Sequence, residues 1–155
     1  WWSGLTITDA KKGTEMNKSK LKHETIDGKE YWFSTNSPVS ETRQILLTSY
    51  IQHPTSFLLS VYDEYFIGYK DRSEILEEKY SKNMASVGNA LLTSLIITNG
   101  KVEGTWKRIL KKDHVEIKLN LFTKPTTYEK STIKEASRNY GNFLGLNVKT
   151  QFTTS

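Results

Sequence analysis

Cysteine is absent from this 155-residue chain, so neither a disulfide framework nor thiol chemistry can be built from it. Histidine is scarce as well. The three residues His23, His53 and His114 lie too far apart to form a metal-ligand spacing, which removes zinc sites, and no metal is expected. No apolar run approaches the roughly 18–20 residues that span a bilayer. The longest candidate, Ala90-Leu91-Leu92-Thr93-Ser94-Leu95-Ile96-Ile97, is interrupted by hydroxyls, so no membrane partner is expected. The chain opens without a Met and without a basic segment leading into an apolar core, and its start therefore reads as a cut end rather than a leader peptide. Also missing are a Gly-x-Ser-x-Gly elbow, a phosphate-binding glycine loop and a His beside a candidate Ser. No catalytic residue and no cofactor are expected.

What is present describes a folded, water-compatible protein. Hydrophobic residues make up 36% and aromatics 12%, too many for a disordered chain, and mean hydropathy is −0.56. The length suits one ordinary domain, or a small module joined to a domain of about a hundred residues. Twenty-two Lys and Arg against seventeen Asp and Glu give a net charge of +5 and a pI near 9.3. That balance favours polyanions such as nucleic acid, although a solvated lysine surface produces the same excess.

Residues 1–35 predict a helix followed by a hairpin. Trp1-Trp2 is apolar, Ser3-Gly4-Leu5 reads as a turn, and Thr6 with Asp9 has capping-box spacing, so a helix should run from Ile7 to Met16. Gly13 weakens that helix by about 1 kcal/mol relative to Ala. Past Asn17-Lys18-Ser19-Lys20, the runs 21–26 and 29–33 flank Asp27-Gly28, a strong hairpin signal. Helix then hairpin is the layout of a partial winged helix with its wing. The earlier helices of such a module are missing, so Trp1 and Trp2 should be covered by a missing N-terminal part of a longer parent or by a second chain.

Residues 36–56, with two prolines and several Ser and Thr, read as a linker, and 57–155 as a second domain. In it Phe57 to Val61 suits a buried strand, and a short helix is expected over Glu77 to Lys82. Strands over 92–98, 102–110 and 114–122 follow, the first two joined by Asn99-Gly100 as a type I′ turn. Val115, Ile117, Leu119 and Leu121 alternate with Glu116, Lys118 and Asn120, leaving one face wet. Thr132 with Glu135 predicts a helix start, Gly145 its end, and 147–152 a last strand. The fold expected is α+β: a partial winged helix, then a small antiparallel sheet or half-barrel with a C-terminal helix.

Trp1-Trp2-Ser3-Gly4-Leu5-Thr6-Ile7-Thr8-Asp9-Ala10, the segment Val61-Tyr62-Asp63-Glu64-Tyr65-Phe66-Ile67-Gly68-Tyr69-Lys70-Asp71-Arg72-Ser73 and Asn99-Gly100-Lys101-Val102-Glu103-Gly104-Thr105-Trp106-Lys107-Arg108 together resemble winged-helix proteins of the crosslink-repair DNA glycosylase (AlkZ/YcaQ-like) superfamily, in their C-terminal part. The resemblance implies duplex DNA as partner, a role in DNA repair, and a cytoplasmic, nucleoid-associated location. In that family glycosylase activity depends on a glutamine-hydrophobic-glutamine (or aspartate) motif near the parent's N-terminus. Gln44-Ile45-Leu46, Gln52-His53-Pro54 and Gln151-Phe152-Thr153 do not match it. The catalytic part should lie outside this chain, or the parent lacks it.

The candidate DNA contacts are Thr6, Thr8, Lys11 and Lys12 on the first helix, then Lys18, Lys20, Lys22 and Lys29 along the approach to the wing, and Lys107 and Arg108 on the second hairpin. Lysines and hydroxyls in such positions reach phosphates with little sequence preference. The other reading of the first group is an ordinary surface helix, since no Arg or Asn is placed for bidentate base reading. Tyr62, Tyr65 and Tyr69 could stack unpaired bases, but rings filling the edge of the core explain them better. Rival functions are a transcription regulator using the same helix and a domain that binds protein or a small ligand.

Overall fold

The computed structural model describes residues 3–26, 28–37, 55–86 and 93–154. Two compact units divide the chain, residues 1–52 and 53–155. Trp1, Trp2, Asp27 and most of the expected linker lie outside the described residues.

In the first unit, Thr6 is extended (φ −69°, ψ 157°) and its hydroxyl oxygen accepts the Asp9 amide at 3.1 Å, so α1 (Ile7–Met16) starts where the capping pair puts it. A 3-10 turn over Lys18–Lys20 leads into β1 (Leu21–Ile26), which pairs antiparallel with β2 (Lys29–Ser34). Gly28 takes a φ of +78°, a left-handed conformation that glycine adopts without a Cβ clash. None of the described residues in this unit is buried, and Ile7 and Met16 are exposed rather than turned inward. Local contacts hold it instead. His23 stacks on Trp32 with centroids 4.6 Å apart, Lys18 lies over the same Trp32 ring, and the Thr35 amide donates to the Lys20 carbonyl at 3.1 Å.

The second unit is a curled five-stranded sheet ordered β3 (Ser56–Leu58), β4 (Leu95–Thr98), β5 (Lys101–Leu110), β6 (His114–Leu121) and β7 (Asn147–Thr154). Between β3 and β4 the chain forms α2 (Glu64–Ile67) and α3 (Glu78–Ser86), and α4 (Thr127–Leu144) joins β6 to β7. Strand alternation sends side chains to two cores. Ile96, Trp106, Val115, Ile117, Leu119 and Leu121 meet Ile133 of α4. Leu95, Ile97, Val102 and Phe122 meet Phe66 of α2 and Met84 of α3 on the other side. Trp106 is anchored at both ends, its indole N–H donating to the Leu59 carbonyl at 2.8 Å and its ring meeting Tyr140 edge-on at 5.2 Å.

The sheet is mixed, which corrects the antiparallel expectation. β3 to β6 are antiparallel, but β7 runs parallel to β6, because a helix-long crossover returns the chain to the same end of the sheet. α4 also begins five residues earlier than Thr132. Thr126, fixed after Pro125, caps the Glu129 amide while Glu129 reaches back to the Thr126 amide; Thr132 lies within the helix and bonds the Glu129 carbonyl at 3.0 Å. All three tyrosines expected at the core edge are exposed, Tyr62 56%, Tyr65 41% and Tyr69 69%, while Phe66 among them is buried. Gly68 closes α2 in ordinary helical backbone, and the left-handed residue of this segment is Tyr62 (φ 58°). Among the described residues no helix is long and apolar enough to cross a membrane.

Gly141 decides how closely α4 approaches β7. A Cβ there would stand 2.1 Å from the Val148 Cγ2 and 2.8 Å from the Leu146 carbonyl oxygen. Helix propensity favours Ala by about 1 kcal/mol, whereas forcing a methyl into packed structure costs roughly 1–3 kcal/mol. Gly141→Ala is therefore expected to lower the midpoint of thermal unfolding despite its better propensity. An unchanged or raised midpoint would mean that helix and strand are not in close contact.

Candidate nucleic-acid interface

On α1, Thr8, Lys11 and Lys12 share one face at helical spacing and are all exposed. Thr6 is committed as the cap: its hydroxyl donates to Asp9 Oδ2 at 2.6 Å and its oxygen receives the Asp9 amide. It is thus a positioning residue for the helix rather than a free donor. Lys18 pairs with Glu15 at 3.2 Å, a surface pair of small energetic weight. Lys20 and Lys22 are exposed, and Lys22 shares its hairpin face with Lys29 because β1 and β2 pair Lys22 with Phe33 and Ile26 with Lys29. Glu24 on that face and Glu30 on the other dilute the charge. His23 Nε2 lies 3.6 Å from Glu30 Oε1.

In the second unit, alternation along β5 separates the two cations that the sequence groups together. Arg108 falls on the α4 face, where its guanidinium lies 5.7 Å from the Tyr140 ring centroid and donates to the Tyr140 hydroxyl. Lys107 falls on the opposite face and is exposed, directly across from Lys118. Lys101, at the turn, is tied to the Glu74 carbonyl. Lys118 and Lys149, which sequence reasoning did not select, share the Lys107 face through the β5–β6–β7 register. The alternating pattern of β6 already marks Lys118; Lys149 becomes visible only when β7 is placed parallel beside it.

A small hollow of about 10 Å³, partly open to solvent, lies beneath α4, lined by Thr98, Glu103, Leu121, Thr123, Pro125, Glu129 and Ile133. A β-bulge opposite Ile96 and Ile97 places Glu103 there. Burial, reinforced by the nearby carboxylates of Glu129 and Glu77, raises the Glu103 carboxyl above its ordinary 4.5. Glu129 is engaged in the helix cap, and no group of three His, Asp or Glu side chains among the described residues could hold a metal ion.

Residues 1–143 match the family described as DNA glycosylase AlkZ-like. The chain belongs to that family. Its fold is similar to that of the DNA glycosylase AlkZ of Streptomyces sahachiroi, with a TM-score of 0.69 at 15% identity, over 96% of this chain and 38% of that one. The chain thus spans well under half the length of that relative. No curated protein sequence matches it.

In this AlkZ-like chain the Glu103 cavity carries a pH signature of its own. A carboxyl raised on folding favours the folded state while protonated; that contribution is complete below about 4.5, the unfolded value, and is lost as pH rises through the higher folded value. Glu103→Gln is expected to raise the denaturation midpoint at neutral pH and leave it unchanged near pH 4. Equal effects at both values would show that Glu103 does not feel its burial.

Proposed function

We propose that this chain is the DNA-binding portion of a DNA-repair protein of the AlkZ-like family, holding duplex without reading its sequence. The first unit would act as a partial winged helix: α1 against the groove, with Thr8, Lys11 and Lys12 outward, and the β1–β2 hairpin as the wing, with Lys18, Lys20, Lys22 and Lys29 toward phosphates. Domain limits of 1–35 for that module, 36–56 for the linker and 57–155 for the sheet domain go with this reading, as does a preceding part of the parent that covers the first residues. The observation that carries it is the exposed lysine face of α1, in a family named for DNA glycosylases. Lysines without an accompanying bidentate Arg or Asn suit backbone contact, which favours a repair scaffold over an operator-reading regulator.

Titrating labelled duplex with the 155-residue chain at several salt concentrations tests this. Affinity is expected to fall steeply with salt, and the double substitution Lys11→Gln, Lys12→Gln should flatten the log–log slope by about two units. Arg108→Gln is expected to lower thermal stability and leave the slope unchanged, since its guanidinium serves Tyr140. Absence of any salt-dependent binding at about 50 mM, or a thousandfold preference for one sequence, would overturn the reading.

A further inference from the structure

The half of the sheet that α2 and α3 do not reach presents a wet face whose composition is uneven. On the side away from α4, strand register places Thr105, Lys107 and Ile109 of β5 beside Glu116, Lys118 and Asn120 of β6, and these beside Lys149, Gln151 and Thr153 of β7. Lys107 and Lys118 stand directly opposite one another, an arrangement that costs a fraction of a kcal/mol through like-charge repulsion. Lys149 is the diagonal neighbour of Lys118, within about 7–8 Å. All three are exposed, and none forms an ion pair among the described residues. Glu116, the carboxylate on this face, lies 3.6 Å from the His114 imidazole, and Asp113 in the adjoining turn is bonded to the same ring at 2.8 Å. The acids therefore gather at the histidine end of the face, where Glu116 is the register partner of Lys149 and Asp113 also senses the Lys149 charge, and they stand apart from the facing Lys107 and Lys118.

We infer that this uncovered face of β5, β6 and β7 is a second phosphate-contact surface, on which Lys107, Lys118 and Lys149 hold the sugar-phosphate backbone of duplex DNA. The inference rests on the DNA-binding reading and locates part of it in the second unit. The occupant follows from the chemistry of the face. Ammonium groups beside the amide of Gln151 supply donors for phosphate oxygens along an extended strand surface. Apart from the largely buried His114 imidazole it carries no aromatic ring, so it offers unpaired bases little to stack on, and duplex rather than single strand is the matching form.

The test has two parts. The triple variant Lys107→Gln, Lys118→Gln, Lys149→Gln of the 155-residue chain should unfold at or slightly above the wild-type temperature and flatten the salt slope for duplex by about 2.7 units, so that the wild type loses roughly fortyfold more affinity than the variant between about 50 and 200 mM salt. Independently of any substitution, acetylation of the wild-type chain with and without duplex should show Lys107, Lys118 and Lys149 protected, and Lys134 on α4 modified at the same rate in both. If the wild type binds duplex but the triple variant keeps its slope, or if Lys134 is protected as strongly as the sheet lysines, this surface is wrong while the function proposed above stands. If the wild type binds no duplex at all, both fall together. Stronger protection by polyglutamate than by duplex would assign the face to an acidic protein and overturn the proposal.

Discussion

Gly141 lets α4 settle against β7 until a Val148 methyl fills the space a side chain would need, and the arrangement of the second unit follows from that approach. With the helix lying close on one face, the parallel β6–β7 pair can be bridged by a single crossover, and the apolar half of each strand has a surface to bury against. Hydroxyls fix the same contact laterally. Ser56 Oγ lies 2.7 Å from Thr132 Oγ1 on the helix and 2.9 Å from Thr98 Oγ1 on the neighbouring strand, linking α4 to both strands at the sheet edge.

That one-sided cover also sorts the charges. A strand has a period of two, so a helix that claims Trp106, Arg108, Ile117 and Leu119 necessarily sends Lys107 and Lys118 the other way. Arg108 then finds the Tyr140 ring and becomes part of the helix–sheet packing, while its neighbour in sequence stays in water. Two adjacent basic residues thus have different work, one structural and one available for a ligand. The first unit handles its lysines differently, on a helix face and a hairpin whose described residues bury nothing.

Local signals were the legible part of the sequence. α1 is found over the expected Ile7 to Met16 because Thr6 and Asp9 form a cap that needs no tertiary partner, and Asn99-Gly100 turns with both φ values positive as its type demands. The alternation of Val115 to Leu121 likewise gave the buried face of β6 correctly. Non-local choices were hidden. Thr126 and Thr132 each have a glutamate three residues on, and only the extended backbone of Thr126 after Pro125 decides which one caps. The direction of β7 is equally silent in its residues, since Val148 and Phe152 would alternate the same way in either sense. From that one ambiguity came both the antiparallel expectation and the omission of Lys149 from the candidate site. Lys107 and Arg108, neighbours in the sequence, fall on opposite faces because adjacency in a strand alternates sides.

The claim that matters most is that nucleic acid meets the wet side of this divided sheet together with the exposed face of α1. Backbone amide spectra of the isotope-labelled chain, recorded through a titration with duplex, measure this residue by residue. The account predicts shifts centred on Lys11 and Lys12 and on the strand positions of Lys107, Lys118 and Lys149, with little change along α4. Shifts confined to α4, around Lys130 and Lys134, would contradict it.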